Sequence, residues 1–169
     1  MVTRSEIIGV KSSLFPELKP SDPIAVRRHK ILKQFAPRIG ERMPYGSPKF
    51  ELVSPIGEDA RVALVEGMVS LPGTEGYDLF RTSENLEYIS DYEATHKALD
   101  RMYVGPLSEK DPNSFIWSRL FIENIHNSMA VRNRLRIVEK ELTNHMRQAF
   151  TRRQGPFLIL SVAAGSSRA

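Results

Sequence analysis

Residues 157–169 read FLILSVAAGSSRA, and this stretch decides the predicted fold. Its first six residues form a continuous apolar run, which is typical of a β-strand that is buried on both faces of a sheet. The small residues that follow, with Gly165 among them, allow the backbone to turn sharply and to approach a ligand closely. The backbone N–H groups of a helix that starts there would receive a phosphate or a carboxylate. The stretch therefore predicts a strand followed by a cofactor-binding turn.

The chain before this stretch is mainly α in our prediction. Apolar residues recur at helical spacing in four segments, each bounded by a cap residue, proline or glycine. These segments are residues 22–36, 58–71, 83–104 and 114–152. Ser21 is the expected N-cap of the first segment, and Asn127-Ser128 is expected to divide the last. Proline and glycine break the pattern over residues 37–57, which predicts a loop with a short extended piece at residues 50–53.

A buried strand requires partners, because its backbone N–H and C=O groups must be paired. We therefore expect an unfinished α/β fold, in which residues 1–154 form a helical region and residues 155–169 provide the first strand and the turn. On this interpretation the chain is the N-terminal piece of a larger protein. The uncovered edges of the strand would promote self-association.

Composition limits the class of protein. The 169 residues, 41% hydrophobic and 26% charged, suit one soluble domain. The chain has no cysteine, which excludes disulfides, thiolate metal sites and cysteine nucleophiles. No stretch resembles a signal peptide or approaches the ~20 apolar residues of a membrane span. We therefore expect a cytoplasmic protein that has no contact with membranes.

The charges are segregated along the chain, although the net charge is only +4. Residues 1–56 carry +5, residues 57–130 carry −7 and residues 131–153 carry +5. The acidic middle can neutralise both basic ends within one fold, so nucleic-acid binding is not favoured.

Arg132, Arg134 and Arg136 form a tight basic cluster within the last of these segments. On a helix, Arg132 and Arg136 share one side. We favour an ion-paired or solvated flank, with Glu139 as the partner of Arg136. The alternative is contact with an acidic substrate or with the acidic residues 84–93.

The four histidines lack metal-ligand spacing, and no phosphate-binding loop pattern occurs. His96 lies on an apolar stripe and is expected to be a packing residue. His126 is a candidate general base, although spacing names no partner for it.

The stretch FLILSVAAGSSRA resembles the first motif of class I S-adenosylmethionine-dependent methyltransferases. In that family a hydrophobic strand leads into small residues that alternate with glycine. Ser161, Ala163, Gly165 and Ser167 occupy these places here, and only Gly165 is a glycine. The preceding VRNRLRIVEKEL, residues 131–142, resembles the helix that leads into the motif in some bacterial members.

The resemblance implies a Rossmann-like methyltransferase fold of which only the first strand is present in this chain. It also implies that S-adenosylmethionine would be the cofactor. The residues that would contact its methionine part are Ser161, Ala163, Ala164, Gly165, Ser166 and Ser167. The family's acidic ribose-binding residue lies at the end of the next strand, beyond these residues. We therefore expect no methyl transfer by the 169 residues alone, and the acceptor, a small molecule or another substrate, and the catalytic residues are not identified.

Two alternatives stay open from the sequence. The stretch FLILSVAAGSSRA can be a buried strand that is followed by a small-residue terminus without a cofactor. The whole chain can instead be a small helical interaction module, whose basic C-terminal helix meets an acidic partner.

Overall fold

The structure is a computed structural model that describes residues 14–93 and 95–152. The described residues form seven α-helices and one 3-10 turn at Ala36–Arg38. The helices are α1 (Ile24–Phe35), α2 (Glu58–Val69), α3 (Glu75–Phe80), α4 (Glu84–Asp91), α5 (His96–Val104), α6 (Pro112–Asn124) and α7 (His126–Arg152).

The predicted α/β fold is wrong for the described part of the chain, where each long regular element is a helix and no strand occurs. Residues 50–53, predicted to be extended, also form no strand. The Glu51 N–H donates to Asn133 Oδ1 at 2.8 Å, and the Glu51 carbonyl accepts from Asn133 Nδ2 at 2.7 Å. A side-chain amide thus satisfies the backbone groups that a neighbouring strand would otherwise pair. The predicted strand at residues 157–162 and the turn at residues 163–169 lie outside the described residues.

Helix α6 lies at the centre of the core and packs against α1, α4 and α7. Trp117 and Leu120 are fully buried, and the buried residues of α6 occur on all of its sides. The ring of Phe121 meets Trp117 edge-on at 4.9 Å between centroids and meets Phe80 edge-on at 5.2 Å. This is the burial expected of a helix that neighbours surround.

Local sequence explains the start of α6. Asp111 is the N-cap, since its carboxylate accepts from the N–H groups of Asn113 and Ser114, and Pro112 occupies the first turn. Asp111 also forms an ion pair with Arg28 at 3.0 Å, which joins α1 to α6. The chain between α6 and α7 breaks at Ile125, two residues before the predicted division.

The remaining boundaries partly follow the prediction. Helices α1 and α2 occupy their predicted segments, but the cap of α1 is Pro23, without a side-chain hydrogen bond, and not Ser21. Ser83 caps α4 as expected, and its Oγ accepts from the Leu86 N–H at 3.2 Å. The segment expected to continue to residue 104 is two helices, because the chain leaves the helical conformation at Tyr92.

Helix α7 divides into a packed half and an exposed half. Its buried residues, Ser128, Met129, Arg132 and Arg136, all lie in its first eleven positions. None of residues 137–152 is buried. The second half is therefore made of partly buried and exposed residues. In the described ranges no helix has the length and apolar character needed to span a bilayer.

Candidate functional site

The predicted cofactor contacts all fall outside the described residues. They are Ser161, Ala163, Ala164, Gly165, Ser166 and Ser167. The described structure reaches Arg152, at the end of α7, and so includes the helical approach to this motif. Inside the described ranges, two convergent groups of polar side chains are considered as candidate sites.

The first group is a buried ion cluster between the loop before α2 and the first half of α7. Glu51 accepts two hydrogen bonds from Arg132, at 2.8 Å from Nε and 2.6 Å from Nη2. Arg136 adds a third, from Nη1 to Glu51 Oε1, at 2.8 Å. All three side chains are at least 94% buried. Two-pronged guanidinium–carboxylate pairs of this kind are the strongest ion pairs that proteins make.

The cluster also satisfies backbone groups that would otherwise lack partners. Arg132 donates to the carbonyls of Ile122 and Glu123 at 2.5 Å and 3.1 Å, and these residues belong to the last turn of α6. A cation at that end also suits the helix dipole. Arg136 donates to the Ser47 carbonyl at 3.0 Å. One cluster therefore holds the loop, α6 and α7 together.

Two further charged residues, Arg42 and Glu123, lie next to the cluster. Arg42 Nε lies 3.6 Å from Glu123 Oε1, and Arg119 Nε donates to Glu123 Oε2 at 2.7 Å. Burial, followed by repulsion from Arg132, lowers the pKa of Arg42. Burial raises the pKa of Glu51, but the hydrogen bonds from Arg132 and Arg136 outweigh burial and leave this pKa below its ordinary value.

The arginine cluster predicted from sequence is thus ion-paired, but with a different partner. Arg136 pairs with Glu51 and not with Glu139, and neither Arg132 nor Arg136 meets residues 84–93. Arg134 is exposed. Sequence spacing placed Arg132 and Arg136 on one side of the helix, yet Glu51 lies 81 residues before Arg132, so no local pattern identifies it. The buried donors face protein acceptors, which gives this cluster a structural role.

The second group surrounds Glu109, beside the N-terminus of α4. Glu109 Oε1 accepts from Ser118 Oγ at 2.5 Å and from the side-chain amide of Asn85. Glu109 Oε2 is buried and has no hydrogen-bond partner among the described residues. Glu109 also borders an open pocket of about 320 Å³. Its other lining residues are Arg81, Thr82, Ser83, Glu84, Glu87, Lys110, Asp111 and Ser114. Such a carboxylate can accept a hydrogen bond from an N–H or O–H group of a small polar ligand.

The structure places the two histidines that the sequence analysis singled out, His96 and His126. His96 is exposed, so its assignment as a packing residue is wrong. His126, the candidate base, lies with Nε2 at 3.1 Å from Glu58 Oε2, and both side chains are about half exposed. Within residues 14–93 and 95–152, no group of three histidine, aspartate or glutamate side chains is arranged to hold a metal ion.

Neither pocket within the described residues suits S-adenosylmethionine. A second open pocket, of about 290 Å³, is lined by Asp22, Pro23, Ile24, Arg27, Glu75, Asp78 and Leu79. No aromatic side chain lines this pocket or the pocket beside Glu109, and more than half of the residues that line each pocket are charged. Sites for cofactors of this size are mostly apolar, with few polar groups.

The chain was compared with protein-family models, with curated proteins and with solved structures, and none of the three comparisons found a match.

Proposed function

We propose that this chain is the N-terminal helical region of an S-adenosylmethionine-dependent methyltransferase, with residues 161–167 as its cofactor contacts. The observation that carries the proposal is the order of elements. Residues 131–142, which resemble the helix that leads into the family's first motif, lie within the continuous helix α7. The described part of this helix reaches Arg152, and four residues separate it from the motif-like stretch that begins at Phe157. The absence of cysteine is consistent with a cytoplasmic enzyme.

Within this proposal, S-adenosylmethionine supplies an electrophilic methyl group on a sulfonium, and residues 163–166 bind its methionine part. Small residues there let backbone N–H groups approach the cofactor carboxylate, and the hydroxyls of Ser166 and Ser167 add donors. The helical bundle would help to select the acceptor by position and by excluding water.

The test begins with the coding sequence after residue 169. If it continues in frame into a second strand that ends in Asp or Glu, the longer chain is expressed and titrated with S-adenosylmethionine by calorimetry. We expect binding, and we expect Gly165→Val to abolish it, because a branched side chain fills the turn. Thr143→Val is the matched control, since Thr143 lies on the exposed surface of α7 and has nearly the same shape as valine. Failure of the longer chain to bind S-adenosylmethionine, or unchanged binding by Gly165→Val, would reject the proposal.

A helical interaction module is the second candidate, and the exposed half of α7 favours it. Arg147 and Arg152 are exposed there, together with Lys140 and the neighbouring Arg134. Arg132 and Arg136 are committed to Glu51, so they do not contribute to a basic surface. Titration with an acidic peptide at two salt concentrations tests this candidate, because binding through these side chains must weaken as salt rises. Arg147→Gln should reduce such binding, and salt-independent binding would exclude the candidate.

A further inference from the structure

Two adjacent apolar residues in the loop before α2, Leu52 and Val53, lie on the surface of the bundle, and we call them the apolar pair. Leu52 is 84% exposed and Val53 is 69% exposed. No other large apolar side chain among the described residues is as exposed as Leu52. Single exposed apolar side chains are common on protein surfaces, but exposure of two neighbours forgoes the free energy that their burial would provide.

The residues on either side hold the apolar pair in place. Glu51 is buried, its backbone N–H and C=O groups bond to the Asn133 side chain at 2.8 Å and 2.7 Å, and its carboxylate belongs to the buried ion cluster. Ser54 is also buried, and its Oγ donates to the Asn124 carbonyl at 2.5 Å. Residues 51–54, which we call the anchored loop, are therefore fixed at both ends. The apolar pair cannot turn inward unless these bonds break.

The backbone of the apolar pair has free hydrogen-bonding groups. Within the described residues, neither the N–H groups nor the carbonyls of Leu52 and Val53 have a hydrogen-bond partner. At the adjacent Glu51, the Asn133 amide already pairs with both backbone groups, as a neighbouring strand would. An extended peptide can bind such free groups with its own backbone, while the apolar side chains of the two segments pack together. The anchored loop thus offers both backbone hydrogen bonds and apolar contact.

The charges beside the apolar pair determine which partner fits. Lys49 and Arg134 are exposed, and neither side chain makes a hydrogen bond or an ion pair in the described structure. Lys49 precedes Leu52 by three residues, and Arg134 follows Asn133, the residue that holds the anchored loop. The Glu51 carboxylate is buried in the ion cluster, so it does not neutralise these two cations. Carboxylates on a partner are therefore the complementary groups.

We propose that the anchored loop is a docking site for an extended, acidic peptide segment of a partner protein. Apolar side chains of that segment pack on Leu52 and Val53, its backbone binds the free backbone groups of the loop, and its Asp or Glu side chains pair with Lys49 and Arg134. Because the loop is fixed at both ends before the partner arrives, its ordering costs little conformational entropy. The inference does not depend on the proposed methyltransferase function, and it uses none of the basic residues of α7 beyond Arg134.

Selection from a phage-displayed library of random peptides tests the proposal. The parent chain is the bait, and Leu52→Ser/Val53→Ser serves for counter-selection, because serine removes the apolar contact. We expect the selected peptides to combine apolar residues with Asp or Glu. A synthetic peptide of the selected consensus should bind the double variant at least about tenfold more weakly than the parent chain. Val69→Ser is the matched control, since Val69 is 80% exposed on α2 and its replacement should leave binding unchanged.

Charge reversal tests the chemistry of the partner. Lys49→Glu/Arg134→Glu should weaken binding of the same peptide by about tenfold or more, and binding to the parent chain should weaken as salt rises. Failure to enrich any peptide, selected peptides without acidic residues, or equal binding by the parent chain and Leu52→Ser/Val53→Ser would overturn the proposal. A parent dimer that dissociates in Leu52→Ser/Val53→Ser would assign the apolar pair to a second copy instead. A loss of unfolding stability in that variant would show that the pair is covered within the chain, and either result rejects the peptide site.

Discussion

Glu51 is the one carboxylate that faces both Arg132 and Arg136, and it is almost completely buried with them. Replacement by glutamine keeps the shape of the side chain but leaves two buried guanidinium groups without a counter-charge. Because loss of one member of a buried ion cluster typically costs about 3–5 kcal/mol, we expect Glu51→Gln to lower the unfolding free energy by that amount. Urea denaturation followed by tryptophan fluorescence measures the change.

The matched control for Glu51→Gln is Glu66→Gln on α2. The Glu66 side chain is exposed, and it makes no hydrogen bond or ion pair in the described structure. Its replacement should change stability by less than about 0.5 kcal/mol. If both variants unfold at the same urea concentration, the ion cluster does not stabilise the fold.

The same carboxylate predicts an acid-sensitive fold. The pKa of Glu51 is lower in the folded chain than its ordinary value, because hydrogen bonds from two arginines outweigh burial. A lowered pKa adds stability above the ordinary value of about 4.3, and this stability is lost as the pH falls through the folded pKa. The difference in unfolding free energy between the parent and Glu51→Gln should therefore be constant near neutral pH and should shrink below about pH 4. A difference that stays constant down to about pH 3 would contradict this assignment.

Residue-level prediction succeeded only where the cause was local. The Ser83 cap follows from its neighbours in the chain, and the shared side of Arg132 and Arg136 follows from helical spacing. The burial of those arginines depends on Glu51. This residue lies 81 positions before Arg132 in the sequence, so only tertiary contacts bring the two side chains together. The exposure of His96 likewise reflects which side of α5 the bundle covers, a fact that periodicity alone does not contain.

At the scale of elements, α2 packs closely because it contains Gly67. A Cβ at this position would overlap the ring of Phe15, which lies against the helix. Alanine favours a helix over glycine by about 1 kcal/mol, yet overpacking costs about 1–3 kcal/mol. Gly67→Ala should therefore be destabilising by thermal denaturation. In a Phe15→Ala background the same change should become neutral or stabilising, since the obstructing ring is gone. Strict additivity of the two substitutions would show that the ring and the glycine are not coupled.

Periodicity predicted long elements better than short ones. Helices α1, α2 and α7 fall within their predicted segments, and α6 begins two residues before its own, because each repeats its apolar pattern over three turns or more. Helix α3 was missed, since its six residues, EGYDLF, are too few to establish a period. The break between α4 and α5 was also missed, because their apolar residues keep nearly the same phase across Tyr92.

At the scale of the whole molecule, the described bundle is complete without a sheet. Trp117, Leu120 and Phe121 of α6 are enclosed by helices from both earlier and later in the chain. The α/β prediction inferred the whole fold from one apolar run. The described residues instead bury their apolar surface between helices. The predicted cofactor residues lie outside the described residues, so the cofactor assignment depends on the resemblance of residues 157–169.

The unequal packing of α7 predicts that the molecule does not unfold in one step. The single tryptophan, Trp117, is fully buried and donates to the Phe80 carbonyl at 3.2 Å, so its fluorescence reports the core. Far-ultraviolet circular dichroism reports all helices, including residues 137–152, which lack buried contacts. An isolated helix of such length is marginal in water, and weakly packed segments open first.

In dilute solution, we expect the circular dichroism signal of the parent chain to fall at a lower urea concentration than its fluorescence signal. A chain ending at residue 136 is the control, and its two curves should superimpose. Coincident curves for the parent chain would show that the second half of α7 is held as firmly as the core.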